Sequence, residues 1–117
     1  MRADDKLLEG NLATVIMAIL ADGPNYGYAI VAEAERRTDG RLRIRQNALY
    51  PALHKLEGQE LIAGEWREAQ GRRRRRRRYY RLTSRGKREL GRKLARWREF
   101  STTMNAALKE ADHAALG

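Results

Sequence analysis

The 117-residue sequence contains no cysteine and only two histidines, His54 and His113. Without thiols the chain cannot form a disulfide framework or a thiolate metal site, and two histidines are too few for a structural zinc. We therefore expect neither a metal nor a disulfide, as suits a protein of the reducing cytoplasm.

Long hydrophobic runs are also absent. No stretch approaches the roughly 18 uninterrupted apolar residues that a membrane-spanning helix needs. The first five residues, Met-Arg-Ala-Asp-Asp, lack the apolar core of a signal peptide. The sequence thus predicts a soluble, cytoplasmic protein without a membrane partner.

Groups of residues that carry out catalysis are equally scarce. Carboxylates are scattered over predicted helical surfaces, and no serine or threonine has a histidine placed to activate it. The isolated glycines form no phosphate-binding loop. We expect neither an enzyme nor a bound cofactor.

Arginine is what the sequence has in excess. The formal net charge is +10, and seven consecutive arginines at positions 72–78 supply all but +3 of it. A block of like charge repels itself, so it needs an anionic partner. Trp66 before it and Tyr79 and Tyr80 after it favour the tip of a β-hairpin, with nucleic acid as the leading partner. The alternative is a solvated loop that contacts nothing in particular.

Hydrophobic periodicity predicts three helices before the arginine run. The first covers Lys6–Ala21, and the second runs from an N-cap at Asn25 to about Arg37. The third covers Gln46–Gln59, and Pro51 fits best in its first turn, where the missing N–H costs nothing. The apolar positions are Tyr28, Ile30, Val31 and Ala34 in the second helix and Leu49, Leu53 and Leu56 in the third.

Two alternating runs flank the arginines and predict the strands of a hairpin, whose loop holds most of the arginine run. Ile62, Gly64 and Trp66 lie on one face of the first run, and Arg78, Tyr80 and Leu82 lie on one face of the second.

A long fourth helix begins at Thr83 or Ser84. Its apolar positions follow an unbroken 4-3-4-3 spacing, which is typical of a seam between paired helices and too narrow for an ordinary core face. The seam consists of Leu90, Leu94, Trp97, Ser101, Met104, Leu108 and Ala111.

The order of these elements is that of a winged helix-turn-helix, a mainly α fold with a small β-hairpin. Such a domain places one helix in the major groove of duplex DNA and reaches adjacent phosphates with a basic hairpin. We expect residues 1–83 to form the DNA-binding domain, and residues 84–117 to form a long C-terminal dimerisation helix and tail.

Three segments stand out together: YGYAI at 26–30, NALYPALHKLE at 47–57, and YYRLT at 79–83 followed by Gly86. In this order they resemble the PadR family of bacterial transcriptional regulators, and the likeness runs from about Leu7 to Leu108. The resemblance implies a homodimeric repressor of the short subclass with a single C-terminal helix. In such proteins helices one and four make the dimer, and a flat hydrophobic cleft between them admits aromatic effectors.

Two features depart from the family pattern. Glu60 stands where the family usually has glycine, and a left-handed conformation there costs roughly 1 kcal/mol. We therefore expect the third helix to end at Gly58. Family wings are seldom seven arginines long, which indicates enhanced phosphate binding or, alternatively, a repeat expansion without functional gain.

The predicted DNA contacts combine the third helix with the arginine run. Gln46 and Asn47 suit adenine in the major groove, Tyr50 and Lys55 suit phosphates, and His54 is as readily a plain surface residue. The full set is Tyr26, Gln46, Asn47, Tyr50, Pro51, His54, Lys55, Arg72, Arg73, Arg74, Arg75 and Arg76.

The predicted dimer interface comprises Leu8, Leu12, Leu90, Leu94, Trp97, Met104 and Leu108. The family resemblance also places Trp97 in the effector cleft, facing Thr14 and Ala18 and followed by Ser101. Packing in the dimer core is an equal alternative for Trp97 and the favoured one for Phe100.

Two other functions remain open. In the first, the arginine run binds any nucleic acid without regard to sequence, and the third helix merely packs. In the second, the seam of the fourth helix pairs with a different protein, and the basic patch only aids solubility.

Overall fold

The computed structural model describes Leu8 and residues 10–68 and 76–116, with side chains up to residue 111. Within these ranges the chain forms four helices and a three-stranded antiparallel sheet, and this confirms the predicted winged helix-turn-helix with a long C-terminal helix. The elements are α1 (Leu12–Leu20), β1 (Asn25–Tyr26), α2 (Gly27–Arg37), α3 (Gln46–Gly58), β2 (Ile62–Glu68), β3 (Arg76–Leu82) and α4 (Ser84–Leu116).

The core surrounds α1, which contacts α2, α3, α4 and β3. This helix takes the central position because most of its residues are apolar and therefore gain from burial on several sides. The largest fully buried side chains come from α1, α2, α3 and β2, and they are Ile16, Met17, Ile30, Leu49, Leu53 and Ile62.

The beginning of α1 differs from the prediction. A turn at Gly10 and Asn11 interrupts the predicted helix over Lys6–Ala21, and α1 begins at Leu12. The Asn11 N–H donates to the Leu8 carbonyl at 2.8 Å, which is a three-residue turn and not the four-residue spacing of an α-helix. Glycine is the poorest helix former after proline, which accounts for the break.

The start of α2 corrects a second prediction. Asn25 is not a helix cap but lies in β1, where its Oδ1 accepts a hydrogen bond from the Tyr26 N–H at 3.0 Å. Tyr26 occupies the N-cap position without a side-chain capping bond. Asn25 pairs with Tyr80 and Tyr26 with Tyr79, so this segment joins the free edge of β3 before the helix begins.

Pro51 lies inside α3 and not in its first turn, so that prediction is wrong. The helix begins at Gln46, and its first α-helical bond runs from the Leu49 N–H to the Arg45 carbonyl at 2.9 Å. Pro51 follows two residues later, and the Asn47 carbonyl therefore lacks the N–H it would normally accept. Because Asn47 is exposed, water can satisfy that carbonyl.

The end of α3 keeps a strained residue. The helix ends at Gly58, but the left-handed residue expected to be avoided by this end stays at Glu60, whose φ is 60°. The Leu61 N–H donates to the Leu56 carbonyl at 3.0 Å, and the Glu60 N–H donates to the Glu57 carbonyl at 2.9 Å. These two bonds define a Schellman motif, in which glycine usually occupies the position of Glu60. A glutamate there costs roughly 1 kcal/mol.

The wing is the hairpin formed by β2 and β3. Its central strand is β3, which lies between β1 and β2. Trp66 lies opposite Arg78 and Glu68 lies opposite Arg76, so the paired strands reach further towards the tip than predicted. The predicted contacts Arg72–Arg75 fall outside the described residues.

The junction between the wing and α4 depends on two small residues. Thr83 caps α4, since its Oγ1 accepts the Gly86 N–H at 3.0 Å and donates to the Leu61 carbonyl at 3.0 Å. A Cβ at Gly86 would lie only 2.0 Å from the Leu61 carbonyl oxygen. The start of α4 therefore approaches the Leu61 backbone too closely for any residue but glycine at position 86. Beyond this point α4 packs on the core through Leu90 and Leu94.

None of the helices in the described part of the chain combines the length and the apolar character that crossing a bilayer requires.

Candidate nucleic-acid interface

The exposed face of α3 has the character that its periodicity predicts. Leu49, Leu53 and Leu56 are buried against the core. The opposite side of the helix carries the six predicted contacts, which are Gln46, Asn47, Tyr50, Pro51, His54 and Lys55, and all six are exposed. A helix anchored by three leucines thus presents a rigid polar face to solvent.

Tyr26 lies beside the wing, where aromatic rings and guanidinium groups stack on one another. Its ring centroid is 5.3 Å from that of Tyr79, and the Arg77 guanidinium carbon lies 4.4 Å from the Tyr26 centroid. The Arg67 guanidinium carbon lies 4.8 Å from the Tyr79 centroid. Stacking fixes the plane of a guanidinium while leaving N–H groups at its edge available to an anion.

A cavity of about 510 Å³, here called the wing cavity, lies where the wing, α3 and the start of α2 meet. A Cβ at Gly27 would lie 2.9 Å from the Tyr50 hydroxyl, so the glycine makes room for that ring. The cavity is lined by Tyr26, Gly27, Tyr28, Tyr50, Trp66, Arg76, Arg77, Arg78 and Tyr80. The fold therefore brings together Tyr26, Tyr50 and Arg76, which belong to three separate segments of the sequence.

A second cavity of about 800 Å³, here called the α1 groove, lies on the other side of α3 and is bordered by α1 and α4. Asn47, Pro51 and Lys55 line this groove together with apolar residues such as Leu12. Its other cationic residues are Arg43, Arg45, Arg85, Arg92 and Lys93. The exposed face of α3 therefore has arginines on both sides.

Arg78 faces α3, whereas Arg77 next to it lies over the Tyr26 ring. The Arg78 Nη2 donates to the carboxylate of Glu57, near the end of α3. This hydrogen bond raises the pKa of the Arg78 guanidinium. Burial raises the pKa of the Tyr80 hydroxyl beside it. At neutral pH Arg78 is therefore charged and the adjacent Tyr80 phenol is neutral.

Six lining residues of the wing cavity were not among the predicted contacts: Gly27, Tyr28, Trp66, Arg77, Arg78 and Tyr80. The prediction that Tyr28 belongs to the apolar face of α2 is wrong, because its side chain is 73% exposed. Trp66 is 59% exposed. Period-two alternation does place Trp66 and Arg78 each on one strand face, but only the pairing register sets them opposite each other.

Beyond Leu94 the fourth helix exposes a line of large apolar side chains, here called the α4 stripe. The Trp97 and Phe100 ring centroids are 6.0 Å apart. The stripe consists of Trp97, Phe100, Met104 and Leu108, which are 50%, 56%, 38% and 51% exposed. The helical spacing of the seam is thus present as predicted, and its distal half is uncovered in the single chain.

The other residues predicted at the dimer interface or in the effector cleft have different surroundings. Leu8, Leu12 and Leu90 are buried in the core of the single chain. Thr14, Ala18 and Ser101 are half-buried. These three, like Trp97, line neither the wing cavity nor the α1 groove.

Comparison with known proteins gives a consistent result. The profile of the transcriptional regulator PadR-like family matches residues 16–92, which span α1 to the first turns of α4. Among solved structures, a transcriptional regulator from Clostridium thermocellum is 28% identical with a TM-score of 0.79, over 89% of this chain and 96% of that one.

Two further solved structures are similar. A PadR family transcriptional regulator from Eggerthella lenta is 33% identical with a TM-score of 0.74, over 88% of this chain and 86% of that one. A PadR-like transcriptional regulator from Bacillus cereus is 25% identical with a TM-score of 0.75, over 89% of this chain and 97% of that one.

Proposed function

Since this chain belongs to the transcriptional regulator PadR-like family, and is therefore a DNA-binding regulator, we propose that it is a homodimeric repressor of the bacterial cytoplasm. Each copy binds one half of a pseudo-palindromic operator. The observation that carries the proposal is the exposed polar face of α3 beside an arginine-lined wing.

In this proposal α3 reads sequence and the wing supplies affinity. Gln46 and Asn47 lie at the start of α3, where they can reach base edges in the major groove, and their amides suit adenine. Tyr50 and Lys55 bind phosphates on the two sides of the helix. Because phosphate contacts carry no base information, selectivity depends on the first turn of α3.

Competition binding tests the proposal. A duplex is first selected from a random pool by the full chain, and its affinity is then compared with that of random duplex at about 150 mM salt. A repressor keeps a preference of roughly a thousandfold or more for the selected duplex. A binder that acts only through its arginines shows little preference, and that result would refute the proposal. The paired change Gln46→Ala with Asn47→Ala should remove most of the preference.

The arginine run has its own test. Replacing Arg72–Arg76 by serine should weaken binding to selected and random duplex alike, because these side chains contact phosphates. For every phosphate that the variant no longer neutralises, the magnitude of the log-log salt slope should fall by about 0.9. An unchanged slope would mean that these arginines touch no DNA.

We also propose that α4 makes the dimer, with the α4 stripe covered by a second copy of the chain. Trp97, Met104 and Leu108 of the stripe continue the 4-3 seam that begins with Leu90 and Leu94, which pack on the core of the same chain. One helix thus ties a DNA-binding domain, residues 1–83, to a pairing segment within residues 84–117. A change in the pairing angle would alter the distance between the two α3 helices.

A planar aromatic effector is proposed to act at this pairing site. Trp97 is half exposed beside Phe100, so a flat ligand can stack there once two copies enclose the space. Thr14, Ala18 and Ser101 are small enough to leave room for it. Calorimetric titration with planar aromatic carboxylates should show binding that Trp97→Ala abolishes. The control is Trp66→Ala, which removes the other tryptophan and should leave this binding intact.

A further inference from the structure

We infer that Arg78, although it belongs to the arginine run, is a positioning residue that fixes the wing against α3 through Glu57 and makes no contact with DNA. The inference rests on the proposed DNA-binding function of both elements. It divides the run into arginines that bind phosphate and one that holds the binding surfaces at a fixed angle.

The first support is the ion pair itself. The Arg78 guanidinium donates to the Glu57 carboxylate across 21 positions of sequence, from β3 to the last turns of α3. Both side chains are largely covered, with 29% of each exposed. A pair in this setting keeps more of its attraction than one fully in water, because it is less screened by solvent and salt.

The second support is the packing around the Arg78 guanidinium. Its carbon lies 5.5 Å from the ring centroid of Trp66 and 5.8 Å from that of Tyr80. Below it is Gly64, where a Cβ would come within 2.7 Å of the guanidinium atoms. Two rings, a carboxylate and the space left by a glycine therefore hold Arg78 in one orientation.

The neighbouring arginines lack these surroundings. Arg76 and Arg77 are exposed, whereas Arg78 is half-buried. Arg77 also lies on the other face of β3, over the ring of Tyr26. Strand alternation and register thus give adjacent arginines of identical chemistry different roles.

The ion pair of Arg78 and Glu57, here called the clamp, matters because α3 leads into the wing through a short, strained turn. Glu60 holds a left-handed backbone between the end of α3 at Gly58 and the start of β2 at Ile62. The base of the wing is anchored in the core by Ile62 and Leu82, so without the clamp it is the part of the wing beyond them that can change its angle to α3. When α3 and the wing bind the same duplex, their relative orientation then has to be fixed on binding, which lowers affinity. The clamp fixes this orientation before DNA binds.

The experiment compares four single variants on the selected duplex and on random duplex. Arg78→Gln and Glu57→Gln remove one partner each, and Arg78→Lys keeps the charge but not the planar group that stacks. Gly64→Ala keeps every charge but places a methyl group where the Arg78 guanidinium lies. All four should weaken selected-duplex binding by roughly fivefold, which is the largest effect expected from losing a partly exposed ion pair. The salt slope should stay at the wild-type value. The double variant of Arg78→Gln with Glu57→Gln should lose no more affinity than either single change.

Arg76→Gln is the matched control, since it removes the same charge two residues away on the same strand. It should lower the magnitude of the salt slope by about 0.9. If Arg78→Gln lowers the slope equally, or if Arg78→Lys and Gly64→Ala bind like the wild type, Arg78 is a phosphate contact and the inference is overturned.

A measurement without DNA separates this inference from the proposed function. Backbone hydrogen exchange of β2 and β3 should become faster in Glu57→Gln, while exchange in α1 stays slow. Unchanged exchange in the wing would overturn the clamp even if the chain binds its operator as proposed. Faster exchange in a chain without any operator preference would support the clamp and refute the repressor.

Discussion

The wing cavity and the α4 stripe both expose large aromatic side chains, yet their electrical surroundings differ. Tyr28 and Trp66 line the wing cavity together with Arg76 and Arg77, and the Arg78 guanidinium lies over the Trp66 ring. Along the α4 stripe the apolar side chains follow one another at helical spacing, and charges lie only to the side. Such a contrast suits a polyanion at the first surface and a second apolar helix at the other.

The largest expected effect comes from a charge placed in the α4 stripe. Met104→Glu puts a carboxylate at the centre of the proposed pairing surface and should weaken self-association by about a hundredfold or more. Sedimentation velocity across a concentration series measures this. Thr102→Glu, on the exposed side of the same turn, is the control and should leave association unchanged. If both variants associate like the wild type, the stripe does not pair the copies.

Gly86→Ala should affect both surfaces, because Gly86 lies where the wing meets α4. The added Cβ would lie 2.0 Å from the Leu61 carbonyl oxygen, so the backbone has to move. We expect the free energy of unfolding to fall by about 3 kcal/mol in urea denaturation. Gly91→Ala is the matched control, since no atom lies within 4 Å of a Cβ there and alanine favours a helix. Equal stability of the two variants would contradict the close approach.

Glu60→Gly tests the strain between α3 and the wing without touching either surface. Glycine adopts the φ of 60° freely, so the free energy of unfolding should rise by about 1 kcal/mol. Glu60 also lies 3.8 Å from Arg85, but this exposed pair contributes little. Glu60→Ala loses the same pair and keeps the strain, so stabilisation by alanine as large as by glycine would disprove the backbone explanation.

The smallest expected effect lies on α2. Hydrogen bonds from Arg36 and then Arg37 lower the pKa of Glu33 from its ordinary value of 4.5 to about 2. The stability this carboxylate adds is present above pH 4.5 and is lost as the pH falls towards 2. Wild type should therefore exceed Glu33→Gln slightly in stability at pH 7, and the two should converge near pH 2. A difference that stays constant over this range would exclude the pKa shift as its cause.

Local periodicity was sufficient to predict the face of α3 and the spacing of the seam. Leu49, Leu53 and Leu56 repeat at helical intervals, so the exposed side of that helix follows directly. The same logic identifies the line from Leu90 to Leu108. Helical spacing does not say what covers each end of that line. The structure buries Leu90 within its own chain and leaves Trp97 exposed.

Features that depend on distant partners could not be predicted. The strand at Asn25 and Tyr26 exists because β3, more than 50 residues later, offers a free edge. The orientation of Arg78 depends on the register that sets it opposite Trp66 and on the approach of Glu57 from α3. A single sequence specifies strand alternation but not the register across a loop. Here alternation puts Arg77 and Arg78 on opposite faces of β3, and register sets Arg78 opposite Trp66.

The most direct test of both surfaces is the stoichiometry of the complex with DNA. Sedimentation of the full chain with a labelled duplex carrying the complete selected operator should give two chains per duplex. A duplex with one half-site should bind much more weakly, and Met104→Glu should lose the advantage of the complete site. One chain per duplex, with equal affinity for the half-site and the complete operator, would contradict the account.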